Sequence, residues 1–171
     1  YYEEQLIRQA NFDTLTGLPN RALFNDRLDQ ALTVASSEKS LVAVIFIGID
    51  RFKEVNQIVG RDGGDHVLKA VAERLQGCSL ASDTVARHSG DVFSAILVGL
   101  ESVALIVDMI QNIYDRLLAP IVVGKNRLDM HYSIGISVFP HDHQVAERLV
   151  HFADLAMFRA KAGNRSGFHF Y

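Results

Sequence analysis

Two carboxylates in this chain stand where β-prone runs end. Asp50 closes the apolar run Leu41–Ile49. Asp91 sits in the tight polar turn between Thr84-Val85-Ala86-Arg87 and Val92-Phe93-Ser94-Ala95-Ile96-Leu97-Val98. Two strands that each bring an acid to one sheet end could hold a divalent metal and a nucleotide phosphate, because Mg²⁺ takes carboxylate oxygens and shares its remaining sites with phosphates. Whether such a site catalyses or only binds depends on how many acids reach it. Other chemistry-bearing groups are weaker candidates. His141-Asp142-His143 follows Pro140 in an expected loop without partner ligands, whereas a structural metal site needs about four. Gly60-Arg61-Asp62-Gly63-Gly64 has the composition of a phosphate loop but follows a helical turn rather than a strand, so it meets neither the Rossmann nor the P-loop context. Cys78 has no base close in sequence and is assigned no nucleophilic role. Met109, Met130 and Met157 read as core filler.

The elements that must position these residues follow from periodicity. Asn20 is a good N-cap for a helix over Arg21–Ser36, in which Leu23, Phe24, Leu28, Ala31 and Leu32 recur at helical spacing. Leu41–Ile49 is apolar at every position, the mark of a central strand covered on both faces. A helix is expected over Asp65–Gln76, with Val67, Leu68, Val71, Ala72 and Leu75 on one stripe. Val85–Arg87 and Val92–Val98 form a hairpin. A helix over Ser102–Leu118 turns Leu105, Ile106, Met109, Ile110, Ile113 and Leu117 inward. Strands Ile121–Val123 and Leu128–Val138 join through Gly124-Lys125-Asn126. The last helix, Ala146–Ala162, stops at Gly163 before a short strand, Phe168–Tyr171. Strands alternate with helices but include hairpins, so the class is α+β, one sheet with helices mainly on one side.

Composition bounds the function. The 171 residues fit one domain with room for a sizeable core. A net charge of −3 gives no general pull toward nucleic acid or anionic membrane, and no apolar run is long enough to span a bilayer. The lone Cys78 points to a reducing, cytoplasmic compartment. The first residues carry charges of both signs and lack a signal-peptide core. A start without Met in helix-prone sequence and a stop at Phe168-His169-Phe170-Tyr171 are expected of a piece of a longer protein. Residues 1–10 would be a helical lead-in from a preceding domain, and 11–171 the domain itself.

Six stretches together resemble the GGDEF family of diguanylate cyclases. They are Asp13-Thr14-Leu15-Thr16-Gly17-Leu18-Pro19-Asn20-Arg21, Asp50-Arg51-Phe52-Lys53-Glu54-Val55-Asn56 and Gly60-Arg61-Asp62-Gly63-Gly64-Asp65, then Arg87-His88-Ser89-Gly90-Asp91-Val92-Phe93, Tyr132-Ser133-Ile134-Gly135-Ile136-Ser137 and Ala153-Asp154-Leu155-Ala156-Met157-Phe158-Arg159-Ala160-Lys161. Their order and spacing hold from about residue 11 to the C-terminus. The resemblance implies a mixed sheet with surrounding helices, like the nucleotidyl cyclase and polymerase palm core on a ferredoxin-like plan. It implies condensation of two GTP into cyclic di-GMP by two domains face to face. It also implies fusion to other signalling modules, often a phosphodiesterase domain of the EAL type.

By that resemblance Asn56 and Asp65 hydrogen-bond guanine. The chemistry suits them, since Asn offers a donor and an acceptor and Asp accepts from the base's N–H groups. The bland alternative is that Asn56 ends a helical turn and Asp65 caps the next helix. Lys53, with the backbone of Arg51 and Phe52, falls in the triphosphate-contacting segment. Lys161 and Arg165 match the two basic residues that reach the phosphates, although solvated charge is the common fate of Lys and Arg. Ser89 and Gly90 stand for the two glycines of the family's hairpin motif, and the Cβ of Ser89 would crowd the approach to GTP.

The metal site departs from the pattern. The family's first acid falls at Gly48, which has no side chain, and its second hairpin acid is Val92. What remains is the Ile49 carbonyl and Asp91, with Asp50 a weaker candidate. Asp50 lies on the face of position 48 but is displaced by roughly 6.6 Å along a strand, against Mg²⁺–oxygen distances of about 2.1 Å. Asp91 alone is insufficient for two-metal phosphoryl transfer. The expectation is therefore a degenerate cyclase that binds GTP, takes Mg²⁺ or Mn²⁺ only with that nucleotide, and regulates an attached domain. The alternatives are a weakly active cyclase and a nucleotide-free dimerising module. The expected partners are GTP, flanking domains and a second copy, with no nucleic acid and no direct membrane contact. The family's product-inhibition Arg falls at Leu80, in Leu80-Ala81-Ser82-Asp83, which cannot make the bidentate contact to a cyclic dinucleotide.

Overall fold

The computed structural model describes residues 1–78, 83–163 and 167–171. Its elements in chain order are α1 (Tyr2–Asn11), α2 (Arg21–Glu38), β1 (Leu41–Ile49), α3 (Phe52–Cys78), β2 (Thr84–Ser89), β3 (Val92–Leu100), α4 (Val103–Leu117), β4 (Ile121–Val123), β5 (Asn126–Leu128), β6 (Tyr132–Phe139), α5 (Ala146–Ala162) and β7 (Gly167–Phe170). Five strands form one mixed sheet in the order β2-β3-β1-β6-β7. All neighbours are antiparallel except β6 and β7, which run parallel.

The central strand β1 carries apolar side chains on both faces, and each face buries a different set of helices. Ala43, Ile45, Ile47 and Ile49 pack with Val67, Leu68, Val71, Leu75, Ile106 and Ile110, from α3 and α4. Val42, Val44 and Phe46 pack with Phe24, Leu28, Leu149 and Ala153, from α2 and α5. Helices therefore cover both faces, not mainly one as the strand-and-helix pattern suggested. A strand apolar at every position requires cover on both sides, because its alternate side chains point opposite ways.

Caps account for the helix starts. The Asn20 side chain accepts from the Leu23 amide at 3.1 Å, and Ser102 accepts from Leu105 at 3.2 Å, so Ser102 is the cap and not the first helical residue. Leu105 is exposed rather than inward. The expected strand Leu128–Val138 is interrupted. Its first residue closes the separate β4-β5 ribbon, and the main-sheet strand starts at Tyr132, after the His131 carbonyl has accepted from the Asp50 amide at 2.9 Å.

Helix α5 lies unusually close to the sheet. A Cβ on Gly135 of β6 would overlap the Ala153 carbonyl oxygen and the Met157 amide. The side chains that α5 presents, Ala153, Ala156 and Ala160, are small and buried. Helix backbone thus rests directly on strand backbone. Gly135→Ala should separate the two and cost about 3 kcal/mol, read as a lower midpoint in urea unfolding. Gly163→Ala, where a Cβ meets nothing closer than 3.4 Å, should unfold nearly as wild type.

Candidate functional site

Three strand ends meet at the C-terminal end of β1. Gly48 pairs with Val92 of β3 on one side and with Ser133 of β6 on the other. The Ile49 amide donates to the Asp91 carbonyl at 3.2 Å, which sets Asp91 beside the strand as expected. Asp50 points elsewhere. Its carboxylate accepts from the Ser133 hydroxyl at 2.7 Å, on the β6 side of β1, whereas Asp91 stands on the β3 side.

This strand end offers few donors for the divalent cation that the resemblance implies. Gly48 offers no ligand, and the space its side chain would fill is taken. A Cβ there would lie 2.5 Å from Lys161 Cε, 2.7 Å from Lys161 Nζ and 3.2 Å from Met157 Sδ. Val92 turns toward the apolar cluster beneath α2 and α5. Among the described residues no group of three or more His, Cys, Asp or Glu is arranged to hold a metal ion. These residues do not fit a protein-held divalent ion.

The base-recognition candidates come together. Helix α3 is two helices joined at Gly60, whose φ of 76° and ψ of 176° suit glycine alone. Asn56 lies on the first half and Asp65 within the second, so Asn56 does not end the turn and Asp65 is not the cap. A Cβ on Gly64 would overlap the Asn56 carboxamide oxygen and touch the Phe52 ring at 3.4 Å. The bare Gly64 therefore provides the slot in which the Asn56 side chain lies, next to Asp65. Both residues are half-buried, wet enough to be reached and fixed enough to read hydrogen bonds.

The phosphate candidates spread around the start of α3. Arg51, with φ 55°, and Lys53 are exposed at the helix N-terminus. Arg51, Asp50 and Lys161 line one cavity of about 540 Å³. Asp129 and His131, which lie outside every motif, share it with Glu54. Their signal was positional only: 129–131 occupy the strand break described above. Ser89 and Gly90 line a different, more open cleft of about 650 Å³ with Arg21, Arg87 and His88. Arg165 and Leu80-Ala81-Ser82 lie outside the described residues.

The hairpin is held by a residue that motif reasoning had not singled out. Arg87 Nε donates to the Gly90 carbonyl at 2.9 Å, and its Nη1 reaches both Asp13 oxygens at 3.2 and 3.3 Å. Asp13 also accepts from the Thr16 amide at 2.9 Å and the Thr16 hydroxyl at 2.7 Å. An Asp with Thr three residues on is a turn signature, and it could have been read as such. The Arg87 amide donates to the Pro19 carbonyl at 3.0 Å, so the 13–19 turn covers the edge strand β2. Beside it, at a bulge, His88 packs against Phe24 and Phe46. Burial lowers its pKa below the usual 6.5, as does nearby Arg21, against an opposing pull from Asp154.

The bland readings of two other candidates agree with the geometry. Asp142 accepts from the Val138 amide at 2.7 Å and His143 from Val145 at 3.0 Å, so both shape their own loop. Burial pushes the Cys78 thiol up, against a weaker pull from Arg116, and keeps it protonated.

The family model described as "Diguanylate cyclase, GGDEF domain" matches residues 10–167. The chain belongs to the GGDEF family, a domain class of cyclic di-GMP signalling. It is 41% identical over 157 residues to diguanylate cyclase TpbB of Pseudomonas aeruginosa (strain UCBPP-PA14), covering 91% of this chain and 36% of that protein. It is 35% identical over 166 residues to the cyclic di-GMP phosphodiesterase NbdA of P. aeruginosa PAO1, covering 97% of this chain and 21% of that protein. A solved structure of TpbB comprising only the GGDEF domain superposes with a TM-score of 0.89 at 39% identity, covering 93% of each chain. The chain spans about a third or less of these two curated relatives. No described helix is long and apolar enough to cross a membrane.

The Asp13–Arg87 contact makes a pH-dependent contribution to stability. Burial by itself would raise the Asp13 pKa, but hydrogen bonds from Thr16 and the charge of Arg87 hold it below the ordinary 3.8. A lowered folded-state value stabilises fully above the unfolded value and is lost as pH falls through the folded one. Asp13→Asn should therefore cost about 1–2 kcal/mol near neutrality, and the gap from wild type should close below about pH 4, as followed by urea unfolding across an acid series.

Proposed function

We propose that this domain is a degenerate, catalytically silent diguanylate cyclase that binds GTP and regulates an attached domain, such as an EAL phosphodiesterase, in the cytoplasm. The observation that carries the proposal is an asymmetry within one site. Asn56 and Asp65 sit together on the two halves of α3, with Gly64 making room for the Asn56 carboxamide. At the end of β1, by contrast, glycine and valine stand where acids are required. Recognition of the base needs only hydrogen-bonding edges, and those remain. Phosphoryl transfer needs charge stabilisation at both the attacking and the leaving oxygen, and one protein carboxylate is a poor basis for it.

Within this reading Asn56 and Asp65 take the guanine edge. Arg51, Phe52, Lys53 and Lys161 border the phosphates, with Arg165 as a further cation and Ser89 and Gly90 at the hairpin. Any divalent ion arrives on the nucleotide rather than at a protein site. The likeness to NbdA, named as a phosphodiesterase, supports attachment to a domain that degrades the messenger.

Two measurements test the proposal. Calorimetry should detect GTP binding, and mass spectrometry of the same mixture with Mg²⁺ or Mn²⁺ should detect no cyclic di-GMP above blank. Formation of product would establish the weakly active cyclase instead, and no binding at millimolar GTP would establish a nucleotide-free module. Asp65→Asn should weaken GTP by about tenfold or more while leaving the weaker binding of ATP unchanged, which identifies Asp65 as a reader of the guanine edge.

A further inference from the structure

We infer that the Lys161 ammonium takes the place of a divalent cation, so that the domain binds the triphosphate of GTP without metal. The inference rests on the GTP-binding reading above and concerns what supplies the positive charge in that site. Position 48 is where a side chain would project from β1 toward α5. A Cβ built there falls 2.5 Å from Lys161 Cε and 2.7 Å from Nζ. The ammonium and a carboxylate at position 48 therefore compete for one volume. In this chain the glycine cedes that volume to the lysine.

The placement is set from the backbone end of the lysine. Its helix is locked to β6 by the bare Gly135 backbone, and Ala160, the preceding residue, is buried. Met157 Sδ flanks the same space, 3.2 Å from where the Cβ would stand, so the lysine stem runs along apolar surface. Lys161 also borders the cavity of about 540 Å³ with Arg51 and Asp50, so a ligand in that cavity lies against it. Asp50 is oriented by Ser133 at 2.7 Å.

At position 48 itself the electrostatics favour the metal-free nucleotide. A divalent ion entering beside β1 meets the Lys161 ammonium where the acid would stand, while Asp50, Glu54 and Asp129 line the rest of the cavity and Asp91 stands on the β3 side of the strand. A triphosphate without Mg²⁺ carries more negative charge than its Mg²⁺ complex and gains more from the same ammonium. The triphosphate binds where the chain supplies the cation itself.

The test titrates GTP into the domain by calorimetry, once in excess Mg²⁺ and once in EDTA. The expected result is that affinity in EDTA equals or exceeds that in Mg²⁺, and that Lys161→Met lowers it by about tenfold in EDTA. Binding about tenfold tighter in Mg²⁺ than in EDTA would overturn the inference and leave the GTP-binding reading intact. Absence of binding in both buffers would overturn the two together. A nucleotide-free arm checks the placement alone. Gly48→Asp should melt about 2–4 °C above Gly48→Asn through an ion pair with Lys161, and Lys161→Met should erase that difference. Equal melting of the Asp and Asn variants would show that the ammonium does not lie at position 48.

Discussion

The close seating of α5 on β6 is the constraint from which the candidate site follows. Helix backbone can rest on strand backbone only where no Cβ intervenes, and Gly135 opposite Ala153 and Met157 meets that condition. A helix held at that distance cannot slide or rotate by a residue without collision, because packed interiors have few voids to absorb such a shift. Its C-terminal turn is consequently delivered to the end of β1. Lys161 reaches the place of the missing Gly48 side chain as a geometric consequence of contacts two turns earlier in the helix.

The same sheet end shows how the proposed base-reading and charge-handling parts of the site can vary separately. The proposed base-reading residues lie on α3, whose halves meet at Gly60 and whose Asn56 lies in the gap over Gly64. The proposed charge-handling residues lie on β1, the β2-β3 hairpin and α5. β1 stands between α3 and α5, which pack on its opposite faces. Gly48 and Val92 can therefore stand where the family pattern has acids without touching Asn56 or Asp65. Val92 also joins the apolar cluster beneath α2 and α5, so the loss of an acid there adds to packing. The hairpin keeps its shape with Val92 in place of its second acid because Arg87 ties the Gly90 carbonyl to Asp13.

Much of the fold was legible in the chain. β1, α2, α4, α5 and the hairpin follow from apolar periodicity and caps, because those signals depend on residues a few positions apart. The motif spacing likewise made Asn56, Asp65, Lys53, Lys161, Asp91 and the loss at Gly48 visible before any coordinates. Where the reading failed, the controlling partner was distant in sequence. Helices cover both faces because two apolar faces of one strand each recruit a different pair. The break before Tyr132 coincides with a hydrogen bond from Asp50, some eighty residues earlier (Asp50 to His131). Leu105 is exposed although its spacing places it on the apolar stripe, since stripe width is set by the neighbour and not by the helix.

The sequence by itself determined the family, the element types and the inventory of side chains, including which acids are absent. Those properties are carried by residue identity and short-range spacing. Only the tertiary structure decided that Asp50 turns to Ser133 rather than toward Asp91, that Arg87 braces the hairpin from Asp13, and that Lys161 fills the room above Gly48. Each of these is a contact between segments tens of residues apart. Their distances depend on how α5, the hairpin and β1 pack around one core, and no local pattern encodes that.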